Sequence, residues 1–300
     1  MTRVLWLAAV SGSVLTAFPA ETTTNAVCKK EITENGLVAD LFCQKGKSGQ
    51  RGIILLGGSE GGKAVSGMTR EIQDLVDKGY AALVLAYFGQ EGLPPTLQSI
   101  PLEYFNKAVD WLSRQPFADS SGVCVIGGSK GAEAALLLAS TNPKVKSVVA
   151  ISPSAFCFWG IRGPGGKDET VSSWSYGGRD VPFVPVASSP ETIRKAMQAH
   201  EFITIYREAI AGPDAARALI RVEDMKGPIL LISGKRDKVW PSQEMAERIV
   251  ARLKQKEFPY EVNHLSYDAG HNVTGDAKEC WPAVLRFIEK HYPSRSARKQ

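Results

Sequence analysis

The sequence is poor in histidine and has no long apolar run, and each shortage excludes something. Its four histidines, His200, His264, His271 and His291, stand far apart. None pairs with a cysteine at a spacing that would hold zinc, so no metal site is expected. No apolar stretch approaches the length of about 20 residues that a membrane helix needs, which argues against stable membrane insertion. The charge balance is mild, 36 Lys and Arg against 31 Asp and Glu. No basic stripe interleaved with aromatics is present, so a nucleic-acid partner is not expected. Part of the positive excess lies in the tail, at Arg295, Arg298 and Lys299, where it reads as a solvated end. Internal repeats and low-complexity tracts are lacking as well, and nothing in the pattern sets an oligomeric state. What remains is an ordinary globular chain of 300 residues, 44% hydrophobic, long enough to bury a sizeable core.

Cysteine is scarce too, at five residues. The odd count leaves at least one thiol free or paired with another chain. Cys28 and Cys43 flank a hairpin signal and are candidates for a bridge, while Cys124 reads as a buried thiol. The N-terminus has a basic start, Met1-Thr2-Arg3, then an apolar segment from Val4 to Val10. Small residues follow as far as Ala20, before the polar Glu21-Thr22-Thr23-Thr24. This is the pattern of a secretory signal peptide over residues 1–20. It predicts a secreted or periplasmic protein; if residues 1–20 are not a leader, the chain is cytoplasmic.

From Cys28 to Tyr292 the chain reads as one domain. Glu31–Thr33 and Leu37–Cys43 are strand-like around Glu34-Asn35-Gly36, and Asn-Gly between two runs signals a hairpin. Gly52–Leu56, Ala81–Ala86, Val123–Gly127, Val145–Ile151 and Ile229–Ser233 are continuous apolar runs, as strands buried on both faces require. Helical periodicity falls between them: over 67–78 with Gly79 as a stop, Leu102–Leu112, a helix after Ser129, 191–221, Ser242–Lys254 with a serine cap, and Ala277–His291. Tyr260–Leu265 is a further strand. Alternating buried strands and helices predict an α/β architecture: a doubly wound, mainly parallel sheet of about eight strands with helices on both faces. The region 152–225 interrupts the rhythm, its first part rich in Gly, Pro and Ser and in aromatics such as Phe156, Phe158, Trp159 and Trp174. A long irregular stretch inside a compact fold is usually functional, and it reads as a cap over the site.

The chemistry is organised around Gly127-Gly128-Ser129-Lys130-Gly131, which joins a β-branched run to a helix. In that strand–turn–helix context a serine becomes a nucleophile, with Gly127 and Gly131 permitting a turn too tight for side chains. A serine nucleophile needs a base, and the base needs an orienting acid. In this architecture they follow in the order Ser, Asp or Glu, His, each after a strand. The strand at Ile229–Ser233 leads to Asp237, and the strand at Tyr260–Leu265 leads to His271. Asp268 is too close to His271 along the same loop, and Asp224 precedes its strand. His264 lies inside a strand, His200 in a helix of the irregular region, and His291 at a helix end where it reads as solvated. Two backbone N–H groups would stabilise the oxyanion: that of Lys130, and one from the glycine-rich loop Gly57–Gly62, at Ser59 or Glu60. Such chemistry needs no cofactor.

The elbow Ile126–Glu133 resembles the C-terminal domain family of acyl-CoA thioesterases and bile acid-CoA:amino acid N-acyltransferases, within the α/β-hydrolase superfamily. So do Leu83–Phe88 with Gly92-Leu93-Pro94, and Pro101–Phe105. The likeness runs from about Gly52 to His291, and dienelactone-hydrolase-like enzymes share the plan. It implies an α/β-hydrolase fold with Ser129, Asp237 and His271 as nucleophile, acid and base, acting on a small acyl ester or thioester. Animal members carry an N-terminal β-sandwich domain, whereas only a hairpin fits before Gly52 here. The acyltransferase branch uses a cysteine nucleophile; a serine implies water as acceptor. The resemblance favours an acyl-CoA thioesterase, the leader an exported carboxylesterase, and transfer to an amine is the remaining alternative.

Overall fold

The computed structural model describes residues 27–163, 165–166 and 170–294. The predicted leader and the basic tail lie outside the described residues. In chain order the elements are β1 (Val27–Ile32), β2 (Val38–Gln44), β3 (Gln50–Leu56), α1 (Thr69–Asp77), β4 (Tyr80–Ala86), β5 (Ile100–Pro101), α2 (Leu102–Ser113), β6 (Ala118–Gly128), α3 (Lys130–Thr141) and β7 (Val145–Ile151). There follow β8 (Trp174–Tyr176), β9 (Arg179–Asp180), α4 (Pro190–Ala199), α5 (Ile203–Ile210), β10 (Ile229–Gly234), α6 (Ser242–Gln255), β11 (Val262–Tyr267), α7 (Val273–Asp276) and α8 (Cys280–His291).

The main sheet has eight strands in the order β1-β2-β4-β3-β6-β7-β10-β11. The hairpin β1–β2 and the pair β2–β4 are antiparallel, and every other pairing is parallel. Successive residues of a strand face opposite sides, so a central strand must be apolar throughout. In β3, Ile54 and Leu56 join one core with Val123 and Val125 of β6. Ile53 and Leu55 join the other, with Cys124 and Ile126. The first core is covered by α2, α3 and α6, the second by α1 and α8. These features are the α/β-hydrolase fold expected from the sequence.

Several local expectations need correction. The region 191–221 is two helices, α4 and α5, rather than one run; α4 ends at His200 in the left-handed conformation, φ 54°. The closing helix starts at Cys280, after the separate short turn α7. Ser242 does not cap α6, because its hydroxyl is engaged elsewhere. His291 is not solvated: it packs on Phe287 and lies 3.3 Å from Glu261. Cys28 stands directly opposite Cys43 in the β1–β2 register, with both residues as free thiols. Burial pushes the Cys124 thiol up to about 12 and that of Cys43 up to about 11, consistent with unreactive positions.

The largest correction concerns the cap. Phe156, Phe158 and Trp174 are buried in the core under α2, α3 and α6. Phe158 packs edge-on against Tyr206, and Trp159 stacks on Tyr206 with ring centres 4.7 Å apart. The segment carries β8 and β9, which form a small sheet with β5. The aromatics thus complete one layer of the domain instead of roofing the site.

Candidate active site

Ser129 sits between β6 and α3 with φ 54° and ψ −120°, a region costly for a residue with a side chain. The surroundings impose this conformation. A Cβ on Gly127 would lie 2.1 Å from the carbonyl oxygen of Gly131, and one on Gly131 would lie 2.3 Å from that of Gly57. The turn is therefore clamped between the end of β3 and the start of α3. The Ser129 carbonyl accepts from the N–H groups of Ala132 and Glu133, so the helix begins at once.

The loops after β10 and β11 bring the other two candidates to Ser129. His271 Nε2 is 2.9 Å from Ser129 Oγ, and Nδ1 is 2.9 Å from Asp237 Oδ2. With its proton on Nδ1 the ring donates to Asp237 and leaves Nε2 to accept from the serine hydroxyl. Asp237 is 5% exposed, and its carboxylate is saturated. Oδ1 accepts from the Val239 and Trp240 N–H groups, and Oδ2 also accepts from Ser242 Oγ at 2.7 Å. Ser152 Oγ donates to the His271 carbonyl at 2.7 Å, and Trp240 meets the imidazole edge-on. The ring is thus fixed in place and tilt from several sides.

The other sequence candidates are elsewhere. Asp268 is exposed and pairs with Arg236, and Asp224 pairs with Arg221. His264 bonds Ser233 Oγ, and burial lowers its pKa. Lys130 leads α3, where its N–H has no carbonyl one turn earlier to bond. Its side chain turns away from the site: Nζ donates to Glu133 Oε2, Ser173 Oγ and the Trp159 carbonyl. Ser59 and Glu60 lie in an exposed turn after β3. Of these two, Glu60 lines the cavity next to Ser129, and its Oε1 accepts from the Gly58 N–H at 2.7 Å.

Sequence reasoning missed Tyr87, whose hydroxyl donates to the carbonyls of Gly57 at 2.6 Å and Gly58 at 3.1 Å. A trans peptide points its N–H opposite its carbonyl, so Tyr87 sets the direction of both following N–H groups. Burial holds the phenol well above its ordinary pKa, and it remains a donor. Ser242 and Ser152 were missed as well. A serine five residues after the acid was the available clue to Ser242; the other contacts are long-range and leave none.

The cavity beside Ser129 measures about 380 Å³. Leu56, Val65, Met68, Ile72, Ile126, Ile151, Val273 and Trp281 give it apolar walls. It lies on the α1 and α8 side of the sheet, opposite the aromatic segment. Of residues 152–225, Ser152 alone among the described residues reaches it.

The family model described as BAAT / acyl-CoA thioester hydrolase C terminal matches residues 100–276, which include Ser129, Asp237 and His271. The chain belongs to this family. Human acyl-coenzyme A thioesterase 1 is 30% identical over 218 residues, 73% of this chain and 45% of that protein. Mouse acyl-coenzyme A amino acid N-acyltransferase 1 is 29% identical over 229 residues, 76% of this chain and 50% of that protein. Mouse peroxisomal succinyl-coenzyme A thioesterase is 29% identical over 260 residues, 86% and 57% respectively. The BAAT-type chain thus spans about half the length of the curated relatives it matches. An esterase from Pyrococcus furiosus shares the fold, with TM-score 0.56 at 16% identity over 93% of this chain and 97% of its own. A hyperthermophilic esterase from Pyrobaculum calidifontis does so with TM-score 0.56 at 15% identity, over 88% and 85%.

Proposed function

We propose that this protein is a serine acyl hydrolase acting on small carboxylic esters or thioesters. The observation that carries the reading is the unbroken line from Ser129 through His271 to Asp237, built on a strained serine backbone. His271 Nε2 takes the proton of Ser129 as Oγ attacks the carbonyl carbon. The negative charge that develops on the carbonyl oxygen is met by the Lys130 N–H and an N–H of the Gly57–Gly62 loop. The tetrahedral intermediate collapses, and the leaving oxygen or sulfur departs with the proton from His271. Water, deprotonated by His271, then attacks the acyl-serine and releases the acid. Asp237 holds the imidazole orientation and stabilises the imidazolium.

The family favours a CoA thioester as substrate, and the relatives' names point the same way. A signal peptide over residues 1–20 would instead place the enzyme outside the cytoplasm, where a simple ester is the expected substrate. N-terminal sequencing of the protein from its host tests export. The activity is tested by comparing acyl-CoA with p-nitrophenyl esters of matched chain length, with Ser129→Ala as control. Hydrolysis lost in Ser129→Ala, together with labelling of Ser129 by a fluorophosphonate, supports the reading. Full activity in Ser129→Ala overturns it. Product captured by an added amine acceptor such as glycine would move the protein to the acyltransferase side of its family.

A further inference from the structure

The cavity beside Ser129 has an asymmetric charge. Two of its lining residues are glutamates, Glu60 and Glu71, and among its described lining there is no lysine or arginine. Glu60 is folded back so that one carboxylate oxygen rests on the Gly58 N–H. A Cβ on Gly58 would fall 2.8 Å from the other oxygen and 3.1 Å from Ser129 Cβ. The Glu60 charge is therefore held close to the nucleophile. Glu71 stands in the first turn of α1, where the helix dipole favours its charge, and it faces the same space as Met68 and Ile72.

The cations adjacent in sequence to the cavity's lining residues do not face it. Lys63, three residues beyond Glu60, is bonded to Glu31 and Asp40 at 2.7 Å each. The ammonium of Lys130 is enclosed by Glu133, Ser173 and the Trp159 carbonyl, facing away from the cavity. Arg70 precedes Glu71 but is exposed and off the lining. A second negative charge entering this space thus meets two carboxylates, Glu71 half-buried beside the apolar walls and Glu60 at the exposed rim, and the repulsion it meets depends on the salt concentration.

The leaving group must stay within reach of His271 and escape to solvent. The apolar walls of β3, α1, β6 and α8 suit the acyl group. Resting on the serine hydrolase reading, we propose that this cavity holds the acyl group and that Glu60 and Glu71 make it a charge filter. It admits uncharged or cationic acyl groups and rejects those ending in a carboxylate. The filter would set this chain apart from its relative named for succinyl-CoA.

The test compares p-nitrophenyl pentanoate with p-nitrophenyl hemisuccinate, whose acyl groups are close in length and differ in terminal charge. Wild type should favour pentanoate in kcat/KM by about tenfold or more at low ionic strength. The ratio should fall in 1 M salt, where the screening length shrinks to about 3 Å. It should also fall in Glu71→Gln, and further when Glu60→Gln is added. The ratio cancels any general loss of activity caused by these changes. A wild-type ratio near one, or a ratio unmoved in the double variant, overturns the proposal. Binding to the Ser129→Ala protein separates this proposal from the hydrolase reading: pentanamide should raise its Tm more than succinamate does. If no ester turns over while that preference holds, the hydrolase reading fails and the filter stands. Equal shifts from the two amides sink the filter itself.

Discussion

Lys130 and Glu133 form an ion pair 3.0 Å long, one turn into the helix that follows Ser129, with side chains 2% and 0% exposed. Glu133 also accepts from the Phe158 N–H and from Trp174 Nε1 at 2.7 Å. The pair ties the nucleophile's helix to the irregular segment through bonds that water cannot replace. Removing one partner leaves the other charged and buried. Glu133→Ala should therefore cost about 3–5 kcal/mol of stability, and Lys130→Met a similar amount, whereas replacing both with apolar residues should recover much of the loss. Urea unfolding of the two single variants and the double variant measures this. A Glu133→Ala cost under about 1 kcal/mol would show that the pair is not what holds the segment.

This pair also marks where sequence reasoning stops. The convergence of Ser129, Asp237 and His271 was legible because each follows a strand, and strand ends on a parallel sheet meet at one edge. The eight-stranded sheet was legible from its apolar runs for a similar reason. Glu133 was not, since its partners at Phe158 and Trp174 lie 25 and 41 residues away in an irregular stretch. Aromatic content announced burial there but did not say against which face of the sheet, so the segment read as a roof. Ser242 misled because a serine opening a helix, with Glu244 following, fits the local capping pattern, while the long-range demand of Asp237 took its hydroxyl. Local rules locate elements; competition for a hydrogen bond is decided in three dimensions.

The elbow glycines are not equivalent. A Cβ on Gly131 would meet two backbone carbonyls, those of Gly57 at 2.3 Å and Leu56 at 2.5 Å, and backbone cannot step aside as a side chain can. A Cβ on Gly128 meets nothing within 4 Å. Gly131→Ala should destabilise by about 3 kcal/mol or more, at the upper end for overpacking, and Gly128→Ala by under about 1 kcal/mol. Thermal unfolding of the two variants side by side checks the difference. Equal Tm values would mean that the strand–helix contact relaxes more easily than the geometry implies.

Glu223 is hydrogen-bonded by both Arg252 Nε and the terminal guanidinium nitrogen Nη2, linking a short turn before β10 to α6. That bond first, and the charge of Arg252 after it, lower the Glu223 pKa below its ordinary 4.5 despite partial burial. A carboxylate with a lowered folded pKa contributes stability above its unfolded value. The contribution is lost as the pH falls through 4.5 and is gone below the folded pKa. Glu223→Gln should therefore lower stability at pH 7 and flatten the acid limb of the stability profile below pH 4.5, with little change in slope above pH 6. Urea midpoints taken across that range decide it; parallel profiles for the variant and wild type would remove Glu223 from the acid response.

Asp237 carries four hydrogen bonds, so its two possible failures can be separated. Asp237→Asn keeps the side chain's shape but offers an amide where His271 Nδ1 needs an acceptor, which favours the wrong imidazole tautomer. On the proposed mechanism kcat should fall on the order of 10⁴-fold with KM nearly unchanged. Ser242→Ala removes one of the donors to Oδ2 and leaves the charge intact. It should cost kcat far less, about tenfold, because Val239 and Trp240 still hold the carboxylate through Oδ1. Steady-state kinetics on one activated ester orders the two. A Ser242→Ala loss as large as that of Asp237→Asn would mean that the serine, more than the backbone, aims the carboxylate at His271.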